Sequence, residues 1–224
     1  MSNLRFSMIP IRRHLILAVG LFVFQTPSHA GNLLTNGSFE DGNFVPDARD
    51  SMLLPIGATD MTGWTVENAG LAWDGPSNPY GLSASDGTHF IDLTGDQDKA
   101  PYAGLTQTIS TSIGTLYRIS LDLGTDPRYD FAPVSIQVTA GSASSTFTST
   151  PLNLNQWEAF SFDFVATSLS TTLSLDGQAS TDQRYIGLDN VSVVTVPEPS
   201  SWALLAGPGL MACLLLRRLG RARQ

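Results

Sequence analysis

Apolar and polar residues alternate with a period of two along the middle of this chain. In residues 117–123 (YRISLDL) the odd positions are apolar and the even ones polar; in residues 134–140 (VSIQVTA) the even positions are apolar. Phe160, Phe162 and Phe164 alternate with Ser161 and Asp163, and Leu173 and Leu175 with polar neighbours. That period puts one set of side chains on one face of an extended segment, so these stretches are predicted to be strands with one dry face and one wet face. No stretch between residues 31 and 196 keeps a helical period over three turns, and Gly, Pro, Asn and Asp punctuate the gaps. The pattern predicts an all-β body folded as an antiparallel β-sandwich or jelly roll. Its final strand is irregular, because Ile186 and Leu188 share one parity and Val191 and Val193 the other. A β-bulge at Asp189 and Asn190 would return both pairs to the core and re-aim one polar side chain.

The two ends follow a different pattern. Arg5, Arg12 and Arg13 precede the ten-residue apolar run 15–24 (LILAVGLFVF), and Ser28-His29-Ala30 offers small residues at the −3 and −1 positions of a signal-peptidase site. Cleavage between Ala30 and Gly31 is predicted. Ten residues rise only about 15 Å as a helix, half the hydrocarbon thickness of a bilayer, so the run fits a signal helix better than an anchor. At the other end Pro197, Glu198 and Pro199 precede the apolar stretch 202–216 and an Arg cluster at 217, 218, 221 and 223. That stretch covers about 22 Å as a helix, and its basic flank would stay cytoplasmic, leaving the body outside. The expected organisation is a signal peptide over 1–30, a β-sandwich over 31–196 and a terminal segment with a membrane helix over 197–224, both helices lying outside the fold.

Composition sharpens this picture. With 42% hydrophobic residues, 14% charged, 20 Gly, 13 Pro and one Cys among 224 residues, the chain is neither a disulfide scaffold, a multi-helix membrane protein nor a disordered polymer. The single cysteine, Cys213, lies in the apolar tail, so disulfides cannot stabilise the body. Between residues 31 and 196 five basic residues face nineteen acidic ones, a net charge of −14. Such a body repels phosphate backbones, which argues against nucleic acid as a partner.

The three-part tail of Pro-Glu-Pro motif, short apolar helix and Arg cluster resembles the PEP-CTERM sorting signal of Gram-negative bacteria. The resemblance implies removal of the tail by an exosortase near Pro197, Glu198 and Pro199, after transient anchoring in the inner membrane. A plain C-terminal anchor would need the same topology. The body opens with residues 32–40 (NLLTNGSFE), continues through 62–66 (TGWTV), 86–95 (DGTHFIDLTG) and 104–110 (GLTQTIS), and closes with 185–193 (YIGLDNVSV). This order resembles the choice-of-anchor C family, close to plant-type wall proteins and within the galactose-binding-like jelly-roll group. That resemblance implies a structural Ca²⁺ between the opening and closing segments, with carboxylates from Glu40 and Asp189 and a carbonyl near Ser38. Ca²⁺ takes six to eight oxygens, and two carboxylates would tie first strand to last. Carboxylates beside turns also commonly bond backbone N–H groups, so both readings stand at this point. Asp92, Asp96 and Asp98 lack the ligand order of an EF-hand loop and read as a solvated loop.

Catalytic chemistry finds little support. His14 and His29 precede the predicted cut, leaving His89 as the one imidazole of the body, there is no Gly-x-Ser-x-Gly elbow, and no His/Cys spacing suggests zinc. His89 sits in a strand-like run and reads as a packed residue. Nineteen acids allow many carboxylate pairs, so a carboxylate-based glycoside hydrolase remains the alternative, and a purely structural surface protein a third reading. Sugar rings stack on exposed aromatic rings and exchange hydrogen bonds with Asp, Asn and Gln. Trp73, Tyr80, Tyr102 and Tyr129 lie in turn-rich sequence near Asp74, Asn78, Asp98 and Asp130, which makes them the glycan-binding candidates; Trp64 and Trp157 read as core. The leading expectation is an exported, non-catalytic β-sandwich that binds extracellular polysaccharide. PEP-CTERM proteins imply an association with exopolysaccharide and biofilm.

Overall fold

The computed structural model describes residues 31–95, 99–125, 133–149, 156–178 and 185–197. They form eleven strands: β1 (Ser51–Leu54), β2 (Thr65–Glu67), β3 (Leu71–Asp74), β4 (Phe90–Asp92), β5 (Gly104–Ser110), β6 (Leu116–Thr125), β7 (Val134–Ala140), β8 (Ala143–Ser149), β9 (Gln156–Val165), β10 (Ser170–Gln178) and β11 (Gly187–Thr195). A six-stranded sheet runs β1-β3-β4-β11-β6-β9 and a five-stranded sheet β2-β5-β10-β7-β8, with every pairing antiparallel. From β4 onward the chain crosses repeatedly between sheets, giving a jelly-roll β-sandwich. The expected signal and membrane helices lie outside the described residues, as do Ala30, Glu198 and Pro199; Gly31 and Pro197 are exposed and lie outside the strands.

The period-two segments become the strands, and their apolar parity becomes the core. Tyr117, Ile119, Leu121 and Leu123 of β6 are buried, as are Val134, Ile136, Val138 and Ala140 of β7 and Leu173 and Leu175 of β10. Alternation and burial coincide because each strand has one sheet behind it and water in front. The expected bulge is present: the β11–β6 register shifts between Asp189 and Ser192, and Asn190 takes a φ of 52°. Ile186, Leu188, Val191 and Val193 all reach the core as a result, while Asn190 turns outward and its Nδ2 donates to Asp122 at 3.1 Å.

The opening segment runs along the closing strand. Leu33 N donates to the Val193 carbonyl and Val191 N to the Gly37 carbonyl, both at 2.8 Å. Asn32 reinforces the seam, its Nδ2 donating to Val191 O and its Oδ1 accepting from Val193 N. Gly37 is required here, since a side chain would run into the Val191 carbonyl.

Candidate functional site

Glu40 and Asp189 do lie near each other in the fold, on either side of residues 85–89. Glu40 Oε1 accepts the backbone N–H groups of Thr88 and His89, both at 2.7 Å, and Oε2 accepts the Thr88 hydroxyl at 2.7 Å. Asp189 Oδ2 accepts from Ser85 N at 2.7 Å, Asp86 N at 3.0 Å and Ser85 Oγ at 3.2 Å, while Oδ1 takes Asn190 N. Ser38 Oγ donates to Asp86 Oδ2 at 2.5 Å. Burial works against ionisation of Glu40, but the N–H groups of His89 and Thr88 outweigh it and hold its carboxyl below the usual value. Burial dominates at Asp189 and pushes it up to about 6, despite the N–H groups that favour its charge.

This arrangement does not fit the Ca²⁺ expected at Glu40, Asp189 and Ser38. All four carboxylate oxygens already accept hydrogen bonds, most from backbone N–H groups that would point their positive ends at a cation. No group of three or more His, Cys, Asp or Glu side chains among the described residues is placed to hold a metal ion. The carboxylates instead organise backbone, the other behaviour open to acids beside turns.

The outer face of the six-stranded sheet carries a second apolar cluster, formed by Leu82, Phe90 and Tyr185 with Tyr80, Ala84 and Trp157 against it. Under it lie two buried acids. Asp74 accepts the Tyr185 hydroxyl at 2.9 Å, and Asp92 Oδ1 accepts Thr94 N, Thr94 Oγ1 and Ile186 N. Burial, then the neighbouring Asp74, push Asp92 up to about 7; burial raises Asp74 as well. Asp92 is therefore not part of a solvated loop, and Asp96 and Asp98 lie outside the described residues. Both acids are buried, Asp74 holding Tyr185 and Asp92 holding the backbone of Thr94 and Ile186.

The aromatic candidates separate. Trp73 is 0% exposed, with Nε1 donating to Phe39 O at 3.0 Å. Its turn-rich flanks misled, because β3 is buried on both faces and its four residues show no alternation. Tyr80 is half-buried against Tyr185 at a centroid distance of 6.0 Å. Tyr129 lies outside the described residues. Trp64 is core as expected, but Trp157 is on the outer face, half-buried over Gly124 and bonded through Nε1 to Ser83 O at 2.8 Å. His89 precedes β4, with its ring edge-on to Phe44 at 4.6 Å and Nδ1 3.1 Å from Glu40 Oε2.

Tyr102 joins a cleft. Where β2 ends, β5 begins and β10 ends, a cavity of about 410 Å³ is lined by Asn68, Ala100, Pro101, Tyr102, Gly177 and Gln178. Tyr102 is 5% exposed, so it forms the wall, while Asn68, Pro101 and Gln178 carry the open surface. Asn68, at a φ of 66°, donates from Nδ2 to Asp176 Oδ1 at 2.7 Å, and Ser174 Oγ donates to Asp176 Oδ2 at the same distance. Gly104 makes room for that pair, since a Cβ there would overlap both Asp176 and Asn68. Gly177 likewise admits Tyr102. Sequence reading missed Asn68, Pro101 and Gln178 because nothing local marks them; the signals were Gly104, opposite both Glu67 and Asp176 in the ladder, and Gly177 against Tyr102, legible only with the register known.

Fold and cleft define a jelly-roll β-sandwich with a polar recess at one end of its smaller sheet. Residues 32–194 match the family model described as "Protein of unknown function (DUF642)", and the chain belongs to this family. No curated protein matches the chain in sequence. Among solved structures it is similar to TmCBM61 in complex with β-1,4-galactotriose, at 17% identity and a TM-score of 0.43 over 75% of this chain and 100% of that one. It is also similar to a family 35 carbohydrate binding module from Clostridium thermocellum, at 9% identity and 0.44 over 65% and 99%. The CBM22-1 xylan-binding domain of Paenibacillus barcinonensis Xyn10C aligns at 16% identity and 0.41 over 66% and 94%. At this level the likeness is one of general architecture.

Proposed function

We propose that this protein is an exported, non-catalytic glycan-binding β-sandwich of the cell envelope or extracellular matrix. The observation that carries the reading is the cleft, where the amides of Asn68 and Gln178 flank the apolar surface of Pro101. Amides both donate to and accept from hydroxyls, while an apolar ledge suits the C–H face of a sugar ring. Asp176 orients Asn68 and adds an acceptor. The terminal patterns support delivery by signal peptidase and an exosortase, with exopolysaccharide as the partner met outside the cell.

The charge of the body narrows the ligand class. At −14 over residues 31–196, it repels uronate-rich chains and leaves neutral polysaccharides as the favoured partners. Affinity electrophoresis through gels containing neutral or uronate polysaccharides tests this. Neutral chains are expected to retard the protein, and Asn68→Ala with Gln178→Ala to abolish the retardation while circular dichroism stays that of the folded protein, at the modest stability cost of alanine at a positive φ. Equal migration of native and variant protein in every gel would overturn the reading.

A further inference from the structure

The sheets end in four edge strands, and three are protected. β1 has four residues and is followed by Pro55, β2 has three and ends in Glu67, and β9 carries Glu158 and Asp163. Short length, proline and charge are the devices that keep an edge from pairing with another chain. β8 has none of them. It is seven residues long, lies at the end of the five-stranded sheet, and contains neither charge nor proline. Among the described residues its only strand partner is β7.

Three further observations bear on what could pair there. First, residues 131–157 contain no Asp, Glu, Lys or Arg, although the body is strongly acidic. Another copy, equally acidic, meets least repulsion at this edge. Second, residues 145–149 read Ser-Thr-Phe-Thr-Ser, the same in both directions about Phe147. An antiparallel pairing of β8 with itself about Phe147 sets Thr146 opposite Thr148 and Ser145 opposite Ser149, so matched side chains meet at every position. Third, Phe147 is half-buried, with Phe160 and Phe162 half-buried beside it at centroid distances of 5.1 and 6.2 Å. This aromatic side of the sandwich is incompletely covered.

We propose that β8 pairs antiparallel with β8 of a second copy across a two-fold axis at Phe147, joining the two five-stranded sheets into one. The interface is isologous and closes as a dimer, since among the described residues each copy offers a single such edge. Backbone hydrogen bonds supply the attraction, as in other strand additions, and the paired Phe147 rings add a cross-strand aromatic contact that covers Phe160 and Phe162.

Sedimentation of the full chain in nonionic detergent tests the proposal through two double variants on the exposed positions of β8. The native chain is expected to show a concentration-dependent dimer. Thr146→Lys with Thr148→Lys sets lysine opposite lysine twice and is expected to weaken the dimer at least about tenfold. Thr146→Lys with Thr148→Glu sets lysine opposite glutamate twice and is expected to restore it. Association through the apolar ends would ignore both changes and would overturn the proposal, as would a native chain that stays monomeric and leaves the edge for a strand of another protein. Hydrogen exchange on the native chain gives a readout independent of the variants. Amides in residues 143–149 are expected to slow as concentration rises, and constant exchange would again overturn the pairing.

Discussion

Glu40 and Asp189 grip the same short segment from opposite ends, Glu40 through the N–H groups of Thr88 and His89 and Asp189 through those of Ser85 and Asp86. One acid follows the opening segment and the other sits on the last strand, 149 positions later in sequence. The seam between the two ends of the body is thus closed by carboxylates that bind backbone.

Removing one of these acids should cost stability. Asp189→Ala leaves the N–H groups of Ser85, Asp86 and Asn190 without their acceptor, at a cost on the order of 3 kcal/mol in urea unfolding. Neither millimolar Ca²⁺ nor EDTA should move the thermal midpoint of the native protein. A clear rise with Ca²⁺ would mean that the cation displaces these N–H groups.

The buried acids set a pH dependence of definite sign. The pKa values of Asp92 at about 7 and Asp189 at about 6 lie above the ordinary 3.8, so the folded state keeps protons that the unfolded chain releases. This contribution is fully present below about pH 4 and is lost as pH rises to about 7. Asp74 faces Asp92 from β3 and Tyr185 adjoins the pair, and neither supplies a positive charge. Glu40 acts in the opposite sense, since its lowered pKa withdraws stability only as pH falls through it. Unfolding free energy at pH 4.5 should therefore exceed that at pH 7.5 by a few kcal/mol, roughly, and Asp92→Asn should flatten most of the difference. Stability that rises over this interval would contradict the assignment.

Displacing Asn68 from Asp176 should separate binding from folding. Gly104→Ala pushes a methyl group against Asp176 and Asn68 and parts their hydrogen bond. Polysaccharide retardation should fall below that of the native protein, with circular dichroism unchanged. Full retention would remove Asn68 from the binding surface.

The outer cluster offers a fluorescence test. Gly124→Ala drives a methyl group into the Trp157 ring, which lies over Gly124 on the neighbouring strand. Overpacking of this kind costs about 1–3 kcal/mol. Displacement of the ring from Ser83 should red-shift tryptophan emission, and an unchanged spectrum with native stability would mean that the ring is free to move.

The alternating runs of β6, β7 and β10 could be read directly, because a strand with one wet face records its orientation in every second residue. The parity switch across Asp189 and Asn190 located the bulge for the same reason. Those residues, with the resemblance of the opening and closing segments, determined a β-sandwich whose ends meet. Only the tertiary structure decided what residues 71–74 and 90–92 do, since strands buried on both faces carry no alternation: Trp73 points into the main core against Phe39, and Asp92 lies under the outer aromatic cluster, although both residues looked like loop positions. Only it decided that Glu40 and Asp189 spend their oxygens on backbone, because acceptors are assigned by the segment that packs between them. The cleft was likewise invisible in sequence: Asn68, Pro101 and Gln178 come from three separate stretches, and strand register alone brings them to one rim.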